Sequence, residues 1–283
     1  MADNPSQNIE KERRNLSNTS PVLGQWPEAP LALVLAQIRF ESFMDLDTAA
    51  SPFRDRIEKL YPRIQPFHAL SFPFASADGT PPDPTRLAVA GYDFHNADQT
   101  KCVRLELGAL TYFVTSYEQY QGHFEEDWAS LVLALSPSKD LFVTRAGLRY
   151  IDFIVPTTGA HPNDYVQEPL GRAPTVADGS PTTTFNMLQY AMKEGVMRIQ
   201  YSQASGKMEL PPDLQSVQLA PSPVMLKEHK ALGAILDTDR WVEPAASLPS
   251  PQIKALFSMM HNDMSTAFKS IITTRALNEW ACQ

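Results

Sequence analysis

Leu141 to Val155 reads LFVTRAGLRYIDFIV, an apolar, strand-like run into which Arg145, Arg149 and Asp152 are set. Strand alternation puts Val143, Arg145, Gly147, Arg149, Ile151, Phe153 and Val155 on one face. Phe142, Ala146, Leu148, Tyr150, Asp152 and Ile154 take the other. Each face mixes apolar bulk with charge, and a charge in an apolar layer needs a partner. The natural partners are Asp237 and Asp239 in LDTDRW (236–241), which share one face of another strand-like run, Leu232 to Val242.

Outward from this run the pattern predicts an α+β fold built mainly on antiparallel sheet. Leu31 to Phe40 (LALVLAQIRF) reads as a buried strand following Pro30. Segments 67–74, 87–94, 102–107 and 110–115 are short strands separated by turn-like stretches such as Ala77-Asp78-Gly79. Met187 to Tyr201 and Met208 to Leu219 flank a predicted turn at Ala204 to Lys207. Three helices are expected to cover the sheet. One runs over 51–61 with Ser51 as N-cap and Pro52 in the first turn, and one over 116–135 from the capping-box spacing Ser116 to Gln119. The third, over 250–273, has Ser250-Pro251 at its start and Ile253, Phe257, Met260 and Met264 along one stripe. Strands followed by a capped amphipathic helix occur twice, so two pseudo-equivalent lobes, 21–135 and 136–283, are expected within a single domain. Residues 1–20 read as a disordered polar tail, and 156–184 as a long Pro- and Gly-rich loop with a short helix near 163–166.

The 283-residue chain is long enough to bury a core without disulfides, and its 24 prolines argue against a helical bundle. A net charge of −8 and pI near 5.3 disfavour phosphate backbones and anionic membrane surfaces. The cluster Lys11 to Arg14 lies in the polar tail among Glu10 and Glu12. Two cysteines, Cys102 and Cys282, supply no disulfide framework, and neither a secretory signal nor a bilayer-length apolar run is evident. A reducing cytoplasm is the expected setting.

Four pieces, PLALVLAQIRF (30–40), GLRYID (147–152), LDTDRW (236–241) and the closing helix with His261, Phe268 and Ile272-Thr273, have an order and spacing that carry a likeness. Together they resemble a sporadically distributed bacterial family to which no activity is assigned. The resemblance implies no catalytic residue. The family's patchy distribution resembles that of genes on mobile elements, which implies a conditional role such as defence or toxin control.

No complete catalytic, metal or nucleotide motif is present. Arg145, Arg149, Tyr150, Asp152, Asp237 and Asp239 form the candidate ligand- or partner-binding set, with arginine forks suited to a carboxylate or phosphate. A structural ion network among these same residues is the simpler reading. Asp237 and Asp239 are also weighed as hard oxygen ligands for a divalent ion, but the pair lacks further ligands. His123 and Asp127 stand at i, i+4, His95 shares a strand face with Asp93, and His261 and Asp263 point apart on the last helix. Arg63 to His68 (RIQPFH) matches a helical ribonuclease spacing, but Pro66 opposes the helix. Neither a cofactor nor a metal is implied. The expectation is a non-enzymatic binding or regulatory protein with a protein partner, encoded nearby. The alternative is a small-ligand sensor or enzyme with a site around Arg149, Tyr150 and Asp152.

Overall fold

The computed structural model describes residues 26–43, 45–68, 89–137, 139–171, 183–227 and 232–281. The polar tail, the predicted turn at Ala77 to Gly79 and 172–182 of the long loop lie outside the described residues. The fold is α+β, with ten strands in one open sheet. In chain order these are β1 (Leu31–Phe40), β2 (Arg63–His68), β3 (Val89–His95), β4 (Lys101–Glu106), β5 (Ala109–Val114), β6 (Leu141–Ile154), β7 (Thr183–Ala191), β8 (Val196–Ser205), β9 (Leu232–Val242) and β10 (Ala246–Leu248). Their spatial order is β2-β3-β4-β5-β1-β6-β9-β8-β7, with β10 beside β6 and every pairing antiparallel. The strand series from the two halves of the chain meet at β1–β6, so the described strands run in one sheet. Pro66 stands on β2, an edge strand, where a missing N–H costs no ladder bond.

Among the described residues five helices accompany the sheet: α1 (Leu46–Ile57), α2 (Glu125–Leu135), α3 (Glu168–Gly171), α4 (Ser250–Ile271) and α5 (Thr274–Ala281). The first begins five residues before the predicted start because Asp45, not Ser51, caps it, its carboxylate accepting from the Asp47 and Thr48 amides. Pro52 therefore lies inside the helix. The predicted capping box at 116–119 does not open α2. Gly122, at φ +75°, breaks the helical path within a π-type turn over Tyr120–Phe124, and the regular helix begins at Glu125. The third predicted helix matches α4 closely, and α5 follows it unpredicted.

The hairpin predicted around Ala204 to Lys207 lies elsewhere. β7 and β8 pair through a turn at Met192 to Gly195, and residues 208–227 form no strand but cross the sheet as irregular chain with two short 3₁₀ turns. Pro211-Pro212, Pro221 and Pro223 remove the donors that a ladder there would need. Another 3₁₀ turn, Pro162–Tyr165, falls where the short helix near 163–166 is expected.

Both sheet faces are covered. On one, Val34, Ile38, Tyr112, Leu148 and Leu236 pack beneath α1, α2 and α4, with Trp128 of α2 against Phe257 of α4 at 4.9 Å between ring centres. On the other, Leu33, Leu35, Phe113, Ile151 and Phe153 meet Leu214 and Val224 of the crossing segment. Alternation along β6 holds from Arg145 onward. Pairing with β1 shifts register between Arg39 and Phe40, and this bulge sends Val143 to the helix side instead of the arginine side. No helix among the described residues is long and apolar enough to cross a membrane.

Candidate functional site

The charges of β6 divide between the two faces. On the face of the crossing segment, Arg149 makes a two-pronged contact with Asp237 of β9, Nε to Oδ1 at 2.8 Å and Nη2 to Oδ2 at 2.7 Å. Its Nη1 also donates to Asp213 at 2.5 Å. Arg145 and Arg198 share Asp239 at 3.7 and 3.3 Å and flank the Trp241 ring. Burial raises the Asp239 pKa, and the three neighbouring arginines oppose that shift. This is the internal ion network weighed from the sequence. The network engages Asp237 and Asp239 with arginines, and among the described residues no third His, Cys, Asp or Glu ligand joins the pair to hold a divalent ion. An open cleft beside the network is lined by Arg149, Arg198, Gln200, Glu209 and Asp213. Both of its arginines are already paired.

Tyr150 and Asp152 face the other way, so the predicted grouping of Arg149, Tyr150 and Asp152 into one site does not form. Strand alternation separates them. Under α4, Tyr150 and Asp152 line a narrow, open apolar pocket with a cavity volume of about 60 Å³, together with Trp26, Tyr117, Thr238, His261 and Phe268. Ala29, Pro30 and Leu31 also line it, as does Met264 of α4.

Asp152 is 4% exposed, and among the described residues no hydrogen bond or ion pair reaches its carboxyl. Burial, followed by the charge of Asp237, pushes its pKa up to about 8, so the acid is mostly neutral at pH 7. The Tyr150 hydroxyl lies 2.8 Å from His261 Nδ1, and the His261 ring stacks on Tyr120 at 4.0 Å. Burial pulls the His261 pKa down to about 4, with Glu125 opposing the shift, which leaves a neutral imidazole. Tyr150 and Tyr117 are pushed up by burial and stay as phenols. Two more polar atoms on the lining, Thr238 Oγ1 and Trp26 Nε1, are buried without a hydrogen-bond partner among the described residues. A neutral apolar wall thus carries several unsatisfied polar groups, the pattern of a small-molecule site.

The sequence names Tyr150 and Asp152 as candidates but does not single out Trp26, Tyr117, Thr238, His261 or Phe268 as lining a site. The available signal is period: His261, Met264 and Phe268 lie at i, i+3 and i+7 on one face of the closing helix. Of the other candidates, His123 contacts Glu118 at 3.1 Å, whereas Asp127 binds Lys101 at 2.6 Å and the Tyr112 hydroxyl at 2.8 Å. Asp263 turns away from His261 to Arg240, as expected.

No family model, curated protein or solved structure matches the chain. The site therefore stands on its own geometry.

Proposed function

We propose that the protein binds a small organic ammonium ion with a slender apolar body in the pocket beneath α4, and acts as a ligand-binding protein instead of a catalyst. The observation that carries this reading is Asp152, a buried carboxyl at an aromatic-lined pocket with no cation of its own. An ammonium group supplies the missing charge, the faces of Trp26, Tyr117, Tyr150 and Phe268 favour a cation, and the apolar wall takes the hydrocarbon part. Thr238 Oγ1 and Trp26 Nε1 are further hydrogen-bonding positions. Calorimetric titration at pH 8 with hexylamine and with hexanol, on the native chain and on Asp152→Asn, tests the proposal. The amine should bind at least about tenfold more tightly than the alcohol, a difference of about 1.4 kcal/mol, and Asp152→Asn should erase that preference. An amine that binds no better than the alcohol, or equally well to the variant, overturns it.

A second reading, binding to a protein partner encoded alongside, is favoured by β7. This edge strand has no charge or proline from Thr183 to Ala191, and exposes Phe185 (62%) and Met187 (52%). Such an edge suits an extended apolar segment that adds as a further strand. The mobile-element setting implied by the family resemblance belongs to this reading. Affinity purification from the native host tests it: recovery of one partner that is lost on Phe185→Lys supports it, and recovery of none overturns it.

A further inference from the structure

On the opposite side of β1 from the β6 ion network, three side chains of different chemistry converge beneath the crossing segment. Asp93 and His95 stand two residues apart on β3, and Cys102 of β4 is the direct cross-strand partner of His95. One ligand atom from each lies within 4.8 Å of the other two. All three are buried, at 6%, 1% and 0% exposure.

His95 is the unexplained member. Both of its ring nitrogens are buried without a hydrogen-bond partner among the described residues. A buried polar atom in that state is costly, and an imidazole with two such atoms is a poor core residue. Asp93 has capacity to spare. Arg104 grips it with Nε at 2.7 Å and Nη2 at 2.8 Å, but a carboxylate offers about four lone-pair positions, so two remain. Arg104 is itself held by Ser216 at 3.2 Å and lies over the Phe67 ring. It thereby fixes the carboxylate as an outer-shell partner fixes a metal ligand.

We infer that Asp93, His95 and Cys102 form a binding site for a borderline-soft divalent metal ion of the zinc class. A thiolate, an imidazole and a carboxylate are the ligand types that zinc takes together, whereas calcium and magnesium select all-oxygen sets. His95 offers two ring nitrogens that have no hydrogen-bond partner among the described residues. Cys102 is a free, buried cysteine. On binding, the S–H bond breaks, the sulfur forms a bond to the metal and the proton leaves to solvent. The ligand run is Asp-x-His-x₆-Cys across one hairpin, and the metal would tie β3 to β4 on the face that residues 208–227 cover.

The test uses the full chain, stripped of metal with a chelator. Titration with Co²⁺ should give a thiolate-to-cobalt charge-transfer absorption saturating near one equivalent, and Zn²⁺ should raise Tm and displace the cobalt. The band should persist in Cys282→Ser, where Cys102 is the sole thiol, and vanish in Cys102→Ser. Zn²⁺ affinity should fall on the order of tenfold or more in His95→Ala. Absence of the band in the native chain, its loss in Cys282→Ser or its retention in Cys102→Ser overturns the assignment. Should Cys102→Ser not fold, the native and Cys282→Ser titrations decide the question alone.

Discussion

The Tyr150 hydroxyl and His261 Nδ1 lie 2.8 Å apart, joining the central strand β6 to the middle of α4 across 111 residues of sequence. Neither group is charged at neutral pH, since burial drives the phenol's pKa up and the imidazole's down to about 4. The contact is a neutral hydrogen bond in the pocket wall. Tyr150→Phe leaves a buried ring nitrogen without its partner and should cost about 1 to 3 kcal/mol, read as a drop in the denaturation midpoint. A change within experimental error would mean that water replaces the contact.

Asp152 should make stability depend on pH. Its folded pKa of about 8 lies above the ordinary carboxyl value of 3.8, so between those limits the folded chain holds a proton that the unfolded chain has lost. The contribution of Asp152 therefore declines as pH rises from about 4 to about 8 and is level above, with a slope of at most about 1.4 kcal/mol per pH unit. Asp152→Asn should be the more stable protein at pH 8, and its advantage should shrink towards pH 4. His261 acts in the opposite sense. Its depressed pKa of about 4 makes its contribution full above about pH 6.5 and lost as pH falls from there to about 4. His261→Gln should thus steepen the decline between pH 4 and 6.5. Urea denaturation at a series of pH values measures both.

Ammonium binding at Asp152 requires the carboxylate. Because the free acid titrates near pH 8, the Kd for hexylamine should fall about tenfold per pH unit up to about pH 8 and then flatten, with proton release on binding below that point. Calorimetry in two buffers of different ionisation enthalpy counts the protons. A Kd independent of pH between 6 and 8 removes Asp152 from the contact.

Arg149→Ala should be among the most damaging substitutions. It leaves Asp237, whose side chain is 7% exposed, as a buried carboxylate without its fork, a loss of about 3 to 5 kcal/mol. Arg149→Met combined with Asp237→Leu removes both charges and should recover most of that stability. Asp213→Asn, at a side chain 61% exposed, should cost no more than about 1 kcal/mol. Chemical denaturation of the native chain and the three variants measures each cost.

Gly195 turns the β7–β8 hairpin at φ +75°, and a Cβ there would stand 2.0 Å from the Trp241 carbonyl oxygen. Gly195→Ala must both hold a left-handed backbone and push β9 away. It should lower stability by about 1 to 3 kcal/mol or more, whereas Gly159→Ala, at φ +84° in open space, should carry the backbone strain alone. Thermal melts of the two variants separate the backbone contribution from the steric one.

Much of the fold is legible because it is local. The runs at 31–40 and 232–242 and the 250–271 stripe each carry their own period, and each becomes the element its period predicts. The misreadings arise where a competing local signal or a distant contact overrides the one read. Ser51-Pro52 is a good helix start by composition, yet Asp45 caps the helix earlier. Residues 208–219 have strand-like character, but the neighbouring place in the sheet belongs to β8, and the proline-rich segment lies across the face instead.

The candidate site divides along the same line. Alternation along β6 already determines that Arg149 and Asp152 face opposite ways, since a strand places alternate side chains on opposite faces whatever lies beside it. The sequence also supplies acidic partners for the arginines at the matching positions of β9. Only the tertiary structure decides which charge is left over. Asp237 lies diagonally across from Arg149 on one face, while α4 and Trp26 close over the other and leave Asp152 with no cation among the described residues. The gathering of Asp93, His95 and Cys102 is likewise a matter of register, because His95 meets Cys102 only when β3 and β4 pair in that alignment. Period is a property of a single strand, whereas register, coverage and burial are set by which distant segments pack against it.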